Sequence, residues 1–152
     1  MALPVPPHPG SFGAVRRHDV HTGVDLYCPE GTPVYAIESG LVVAIEDFTG
    51  PKAGSPWWLD TRAVLIEGAS GVLLYGEVQP EVTLGERVTK GTRLAVVARV
   101  LRNDKGLPTS MLHFEQYVAG TRASVVWGLG SERPPQLLDP TPLLRWGRPL
   151  LP

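Results

Sequence analysis

The sequence predicts an all-β domain, an antiparallel β-sandwich or barrel-sandwich with little helix. Three observations predict it. Glycine (17) and proline (16) are scattered through all 152 residues, and that density leaves few stretches long enough for a packed helix. The apolar runs between them are short and rich in β-branched and aliphatic residues, the composition of half-buried strands. A glycine-valine-glycine layout occurs twice, as Gly31-Thr-Pro-Val…Gly40-Leu-Val and as Gly85-Glu-Arg-Val-Thr-Lys-Gly91-Thr-Arg-Leu-Ala. Two such halves imply a pseudo-symmetric sheet; a solenoid needs more copies.

In chain order, residues 1–16 read as an irregular lead-in, with proline concentrated in 1–9. A short extended piece follows at 22–27. Gly31-Thr32-Pro33 is turn material, and strands at 34–37 and 41–48 are broken at Ser39-Gly40. Residues 49–60 form a long loop that carries Trp57 and Trp58. Residues 61–67 and 72–78 pair as a hairpin across Gly68-Ala69-Ser70-Gly71, because both arms are apolar and the connection is short and glycine-bounded. Strands are predicted at 94–101 and 111–118, separated by a turn-rich loop at 103–110. Residues 128–140 are a polar connection. Thr141 to Trp146 makes one helical turn with Pro142 at its first position, and 147–152 is a loose tail. The domain proper is therefore 17–146.

Composition excludes several function classes. Fourteen basic residues against fifteen acidic ones leave a net charge of −1 with no basic run, so nucleic-acid binding has no electrostatic support. Cys28 is the sole cysteine, which rules out an intrachain disulfide and fits a small semi-buried apolar residue. Residues 1–9 lack the basic and apolar regions of a signal peptide, and no segment reaches membrane-spanning length. A lipoyl- or biotinyl-carrier barrel needs a lysine at an exposed hairpin tip; residues 68–71 have none and Lys105 comes too late.

The chemistry-bearing residues are His21-Thr22-Gly23-Val24-Asp25 and, far downstream, Leu112-His113-Phe114-Glu115. Two imidazoles and a carboxylate form an N/O donor set suited to zinc, and three protein ligands leave one coordination position open. In a straight strand His21 and Asp25 would sit roughly 13 Å apart, too far to share an ion bound at about 2 Å. Gly23 followed by β-branched Val24 is poor helix sequence. If the two residues share a metal, the chain must therefore bend at Gly23. On the 111–118 strand, side chains alternate faces: Leu112 and Phe114 take the core side, while Met111, His113, Glu115 and Tyr117 take the other. Glu115 is thus placed to orient His113. Trp57 and Trp58 either wall a groove or pin their own loop. Arg16 and Arg17 read as a solvated pair with the alternative of holding a carboxylate, and His18 reads as a surface residue.

From about Arg17 to Leu144 the chain resembles the lysostaphin-type (LytM-type) zinc endopeptidases, which cut peptide cross-links in bacterial cell walls. The resemblance rests on His21-x-Gly23-x-Asp25, Gly31-Thr-Pro-Val-Tyr-Ala and Gly40-x-Val. It continues through Tyr75-Gly76-Glu77-Val78, Gly85-x-x-Val-x-x-Gly91, Leu112-His113-Phe114-Glu115 and Leu138-Asp139-Pro140. It implies the duplicated hybrid-motif fold, zinc held by His21, Asp25 and His113, a peptidoglycan or other short peptide as substrate, and a place at the cell envelope. Tyr75 and Met111 are expected, with Glu115, around those ligands.

Two departures stand out. Family members usually read His-Leu-His-Phe-Glu where this chain has Met111, and Tyr-Gly-His where it has Glu77. Those histidines orient the attacking water and stabilise the oxyanion. A thioether does neither. Glu77 has two open roles: general base, or a fourth zinc ligand that closes the shell. The sequence accordingly supports two readings, a zinc metallopeptidase with atypical catalytic residues, or an inactive zinc-binding module that recognises peptidoglycan peptide or a protein partner.

Overall fold

The computed structural model describes residues 2–146 and 150–152. Among these, nine strands join one sheet in which every pairing is antiparallel, so the expectation of an all-β fold holds. The strands are β1 (Val24–Tyr27), β2 (Pro33–Tyr35), β3 (Gly40–Thr49), β4 (Thr61–Gly68), β5 (Gly71–Pro80), β6 (Arg87–Val88), β7 (Arg93–Val97), β8 (Met111–Tyr117) and β9 (Leu137–Leu138), followed by the helix α1 (Thr141–Trp146). The 49–60 loop contains one 3₁₀ turn at Pro51–Ala53. No helix is long and apolar enough to cross a membrane.

The main ladder runs β1-β8-β5-β4-β3-β6. It forks at β5. Residues 72–76 of β5 pair with β8, and residues 78–80 pair with β7, which in turn carries β2. The fork produces two layers. Val34, Leu94 and Val97 of the β2/β7 layer face Val64, Ile66, Leu73, Tyr75, Leu112 and Phe114 across the main core. Alternation on the same strands sends Ala63, Leu65, Val72, Leu74 and Tyr117 to the opposite face, where Leu137, Phe12, Phe48 and Trp127 cover them. Each fully buried valine, leucine or phenylalanine contributes about 1.5–3 kcal/mol of transfer free energy. The strongest sequence pattern, the 61–78 hairpin, is therefore the spine of both cores.

The internal echo in the sequence has a hydrogen-bond counterpart. Gly31 N–H donates to the Val97 carbonyl while Val97 N–H donates to Thr32. Gly85 N–H donates to Val42 while Val42 N–H donates to Glu86. Both glycines have φ 85°, the left-handed region that a side chain would disfavour. The same turn clamps a strand in each half.

Both chain ends are packed against the domain. Residues 2–16 contain no strand or helix, but they are packed: Gly10 accepts a hydrogen bond from Asp25 N, and Ala14 accepts one from His21 N. The tail was expected to be loose over 147–152. Residues 147–149 lie outside the described residues, whereas Leu150 and Leu151 are buried in the main core and the Leu150 carbonyl accepts from Tyr35 N. Two adjacent leucines recover more by filling the core beside β2 than by fraying. Replacing Leu150 by alanine is expected to cost about 2–4 kcal/mol in a urea titration; a loss under about 0.5 kcal/mol, the ordinary surface value, would show the contact to be dispensable.

Candidate metal centre

Register builds the site. On β1 and β8, Asp25 pairs with His113, and on β8 and β5, His113 pairs with Gly76. His21 precedes β1 and is turned back toward β8 by Thr22-Gly23. Gly23 permits this through size. A Cβ there would overlap the Phe114 carbonyl oxygen and fall 3.0 Å from His113 Nε2. The bend expected at Gly23 is present, but the glycine is needed for close approach, since its φ is not among the positive ones.

His21, Asp25 and His113 are all buried, and one donor atom from each meets the other two within 4.8 Å. His113 Nδ1 lies 2.8 Å from Asp25 Oδ1 and 3.3 Å from His21 Nε2, and His21 Nε2 lies 3.2 Å from Asp25 Oδ1. Tetrahedral zinc with bonds of about 2.0 Å separates its ligand atoms by about 3.3 Å. The outward nitrogens are both committed. His21 Nδ1–H donates to the Ser11 carbonyl at 2.8 Å, and His113 Nε2–H donates to Glu115 Oε2 at 2.8 Å. With those hydrogens outside, three lone pairs converge on one buried point, an arrangement that only a cation relieves.

Electrostatics point the same way. Burial raises the pKa of Asp25, but hydrogen bonds to His113 and His21 and their charge outweigh it and hold the carboxyl well below the usual range. Burial lowers the pKa of His113, but Asp25 and Glu115 on its two nitrogens outweigh that and raise it well above the ordinary imidazole value. The site draws positive charge to its centre, and a proton on His113 and a metal cation are alternatives for it. Arg16 Nη2 donates to the other Asp25 oxygen at 2.9 Å.

Glu115 is 1% exposed and is held by three donors: His113, Tyr117 OH at 2.5 Å, and Thr22 Oγ1. Thr22 and Tyr117 were not singled out for this from sequence, although Tyr117 stands two residues from Glu115 on the same strand face. Tyr75 requires a correction. It was expected around the ligands, but it is fully buried on the main-core side, edge-on to Phe114, with its hydroxyl accepting from Ile37 N. Met111 starts β8 opposite Tyr27 and is not among the residues that line the cleft.

Glu77 sits where β5 changes partners. The β4–β5 register shifts between Arg62/Ala63, so that Val78 and Gly76 are paired and Glu77 is the extra residue of a β-bulge. Its φ is 63°, a left-handed conformation that costs a non-glycine residue on the order of 1–3 kcal/mol. The bulge turns the side chain into a cleft of about 240 Å³ shared with Arg16, His21, Phe48, Trp58, His113, Glu115, Val126 and Trp127. Glu77 Oε2 is buried and has no hydrogen-bond partner. Burial, and then the Asp25 charge, push its pKa up to about 8. Glu77 is not in the group of converging donor atoms. Trp58 lines the cleft and stacks edge-on with the more exposed Trp57, whereas Arg17 and His18 are exposed and do not line it.

Two predictions follow from this geometry. Gly23→Ala is expected to lower stability by about 1–3 kcal/mol through overpacking against β8, measured by chemical denaturation; an unchanged midpoint would mean β8 can shift freely. Glu77 favours its neutral form when folded, so its contribution to stability is fully present below the ordinary value of 4.5 and is lost as pH rises through about 8. In chelator-treated protein, the Tm of Glu77→Gln should therefore fall less between pH 6 and pH 9 than that of the wild type. Parallel curves would place the Glu77 carboxyl in water.

Comparison with known proteins agrees with the fold. The structure is similar to the catalytic domain of the prophage-encoded M23 protein EnpA from Enterococcus faecalis, studied as a mutant, with a TM-score of 0.57 at 22% identity, covering 80% of this chain and 88% of that one. It is also similar to LytU (TM-score 0.56, 20% identity, 91% and 81% covered) and to lysostaphin (0.53, 23%, 83% and 43%). In sequence it is 32% identical over 111 residues to the uncharacterized proteins Mb3815c of Mycobacterium bovis and Rv3786c of Mycobacterium tuberculosis. The match covers 72% of this chain but only 22% of those proteins. The sequence model of peptidase family M23 matches residues 19–125, the span that holds His21, Asp25, Glu77 and His113, and the chain belongs to that family.

Proposed function

We propose that this domain is a zinc-dependent peptidase that cuts short peptide bridges of the peptidoglycan type at the cell envelope, with Glu77 as its general base. The observation that supports it most is the convergence of three acceptor atoms, one from Asp25 and two from imidazoles whose outward N–H groups are already committed. The carboxylates of Asp25 and Glu115 against the single guanidinium of Arg16 leave the site short of positive charge when both imidazoles are neutral. A divalent ion supplies that charge. His21 Nε2, Asp25 Oδ1 and His113 Nδ1 would hold the zinc, which when bound polarises a carbonyl and acidifies water.

The remaining chemistry falls to the chain. Ser11 and Glu115 fix which nitrogen of each imidazole faces inward, and Thr22 and Tyr117 fix Glu115. Glu77 lies outside the converging donors, which favours the base role over that of a fourth ligand and keeps one position open for substrate. Its partnerless Oε2 accepts a proton from the attacking water. Taking that proton and then returning it to the leaving nitrogen is the cycle of a general base. Phe48, Trp58, Val126 and Trp127 border the cleft with apolar surface that limits water around the reacting bond. Met111 favours the second reading, a zinc-held module that binds peptide without cutting it, because a thioether gives no proton and no hydrogen bond.

Metal content and turnover decide between them. Purified protein is expected to carry about one zinc per chain by mass spectrometry and to cleave cross-bridge peptides, with chelation abolishing cleavage and zinc restoring it. Glu77→Gln should keep its zinc and lose about 10²–10⁴-fold in kcat. Zinc retained with no cleavage of any peptide supports the binding module, and undiminished cleavage by Glu77→Gln refutes the base.

A further inference from the structure

We propose that Arg16 is a catalytic residue of the reaction above, its guanidinium donating to the substrate's carbonyl oxygen as negative charge develops there. This rests on the peptidase reading. The need for such a group is visible in the cleft. Its carboxylates, Asp19 and Glu115, repel an oxyanion, Glu77 carries no positive charge once it holds the water proton, and Met111 cannot donate to one. Apart from the two imidazoles already assigned, Arg16 is the cationic side chain among the residues that line it.

The placement of Arg16 is constructed from both sides. Its backbone N–H donates to Asp19 O in a tight turn closed by the Val15–Val20 bridge, directly before His21. At the other end, a single nitrogen, Nη2, makes two contacts, to Asp25 Oδ2 at 2.9 Å and to the Pro9 carbonyl at 3.1 Å. Nε and Nη1 have no partner among the described residues, and the side chain is 41% exposed. The guanidinium is thus anchored by one corner, permanently charged, and belongs to a residue that lines the cleft while two of its nitrogens remain uncommitted. Such fixed donors stabilise developing charge without reorganising.

The electron bookkeeping closes with water as co-reactant. The water oxygen bonds to the carbonyl carbon, Glu77 takes the water proton, and the C=O π pair moves onto oxygen, where Arg16 donates without giving up its own proton. When that pair returns, the C–N bond breaks and Glu77 delivers the proton to the amine.

The competing role is purely supportive: Arg16 steadies Asp25 and touches nothing else. Two inhibitors separate the roles, both built on the peptide the wild type cleaves or, absent cleavage, on tetraglycine. One is a phosphinic pseudopeptide, tetrahedral and anionic; the other is the uncharged hydroxyethylene isostere. Their affinities for the zinc-loaded full chain are measured by calorimetry, and zinc affinity by chelator competition, for wild type, Arg16→Gln and Arg16→Lys. Arg16→Gln is expected to keep zinc and to weaken the phosphinic ligand about 10- to 100-fold, the cost of a charged hydrogen bond. The isostere should change less than about 3-fold, and Arg16→Lys should recover part of the loss. Equal weakening of both ligands, or a loss confined to zinc affinity, overturns the role of Arg16. A wild type that holds zinc but binds neither ligand and cleaves nothing overturns the peptidase reading, and this inference with it.

Discussion

The register between β1 and β8 is the constraint on which the site depends. It places Asp25 opposite His113, and the side-chain period of two leaves no tolerance. A slip of one residue would turn His113 and Glu115 into the apolar core and bring Leu112 and Phe114 out. The slip is prevented by what the other face buries. Phe114 and Leu112 are fully enclosed, and Val24 beside them is equally buried, so the hydrophobic core enforces the alignment that the polar face uses. Gly23 is part of the same device, since only a residue without a Cβ lets the His21 backbone come against β8. Packing energy on one side of the sheet thereby sets distances of about 3 Å on the other, within the range that zinc ligands require.

A second constraint concerns hydrogens. Imidazole is a ligand only through a nitrogen that bears no proton, and each histidine must be told which nitrogen that is. The Ser11 carbonyl instructs His21, and Glu115 instructs His113. Glu115 is itself fixed by Thr22 and Tyr117, so the middle residue of His21-Thr22-Gly23 acts in the site through a partner ninety-three positions away. The irregular lead-in that supplies Ser11 and accepts from Asp25 N through Gly10 is accordingly a wall of the centre rather than an appendage.

Much of this was legible. The hairpin, the 111–118 strand and the short final helix followed from strong local patterns, and the three converging residues followed from donor chemistry and from the resemblance. The failures are also physical. Alternation along β5 puts Tyr75 and Glu77 on one face, yet Tyr75 enters the core and Glu77 the cleft, because Glu77 is itself the extra residue of a bulge and leaves the alternation. Bulges of this kind advertise themselves by a glycine in the left-handed region; here the position is a glutamate, so no signal exists in the sequence. The two-residue strands β6 and β9 are too short to carry a period. The burial of Leu150-Leu151 and the packing of residues 2–16 have no periodicity, and packing without periodicity leaves no pattern in a sequence.

The strain at Glu77 and the corner-held guanidinium of Arg16 make most sense together. A histidine beside a catalytic metal serves both as proton carrier and as donor, changing charge as it does so. In the proposed reaction a carboxylate in the histidine's place keeps the first task but not the second, since a carboxyl that has taken the water proton has no positive charge to offer an oxyanion. For the proposed reaction the donor then has to come from elsewhere, and it must be a group that stays positive while Glu77 gains and loses a proton. Arginine meets that condition over any physiological pH. Tying it to Asp25 by one nitrogen sets its distance from the metal ligands and leaves its other donors uncommitted. The left-handed backbone at Glu77 is the complementary half of the arrangement: at a cost on the order of 1–3 kcal/mol, the bulge brings its side chain into the cleft that His113 also lines.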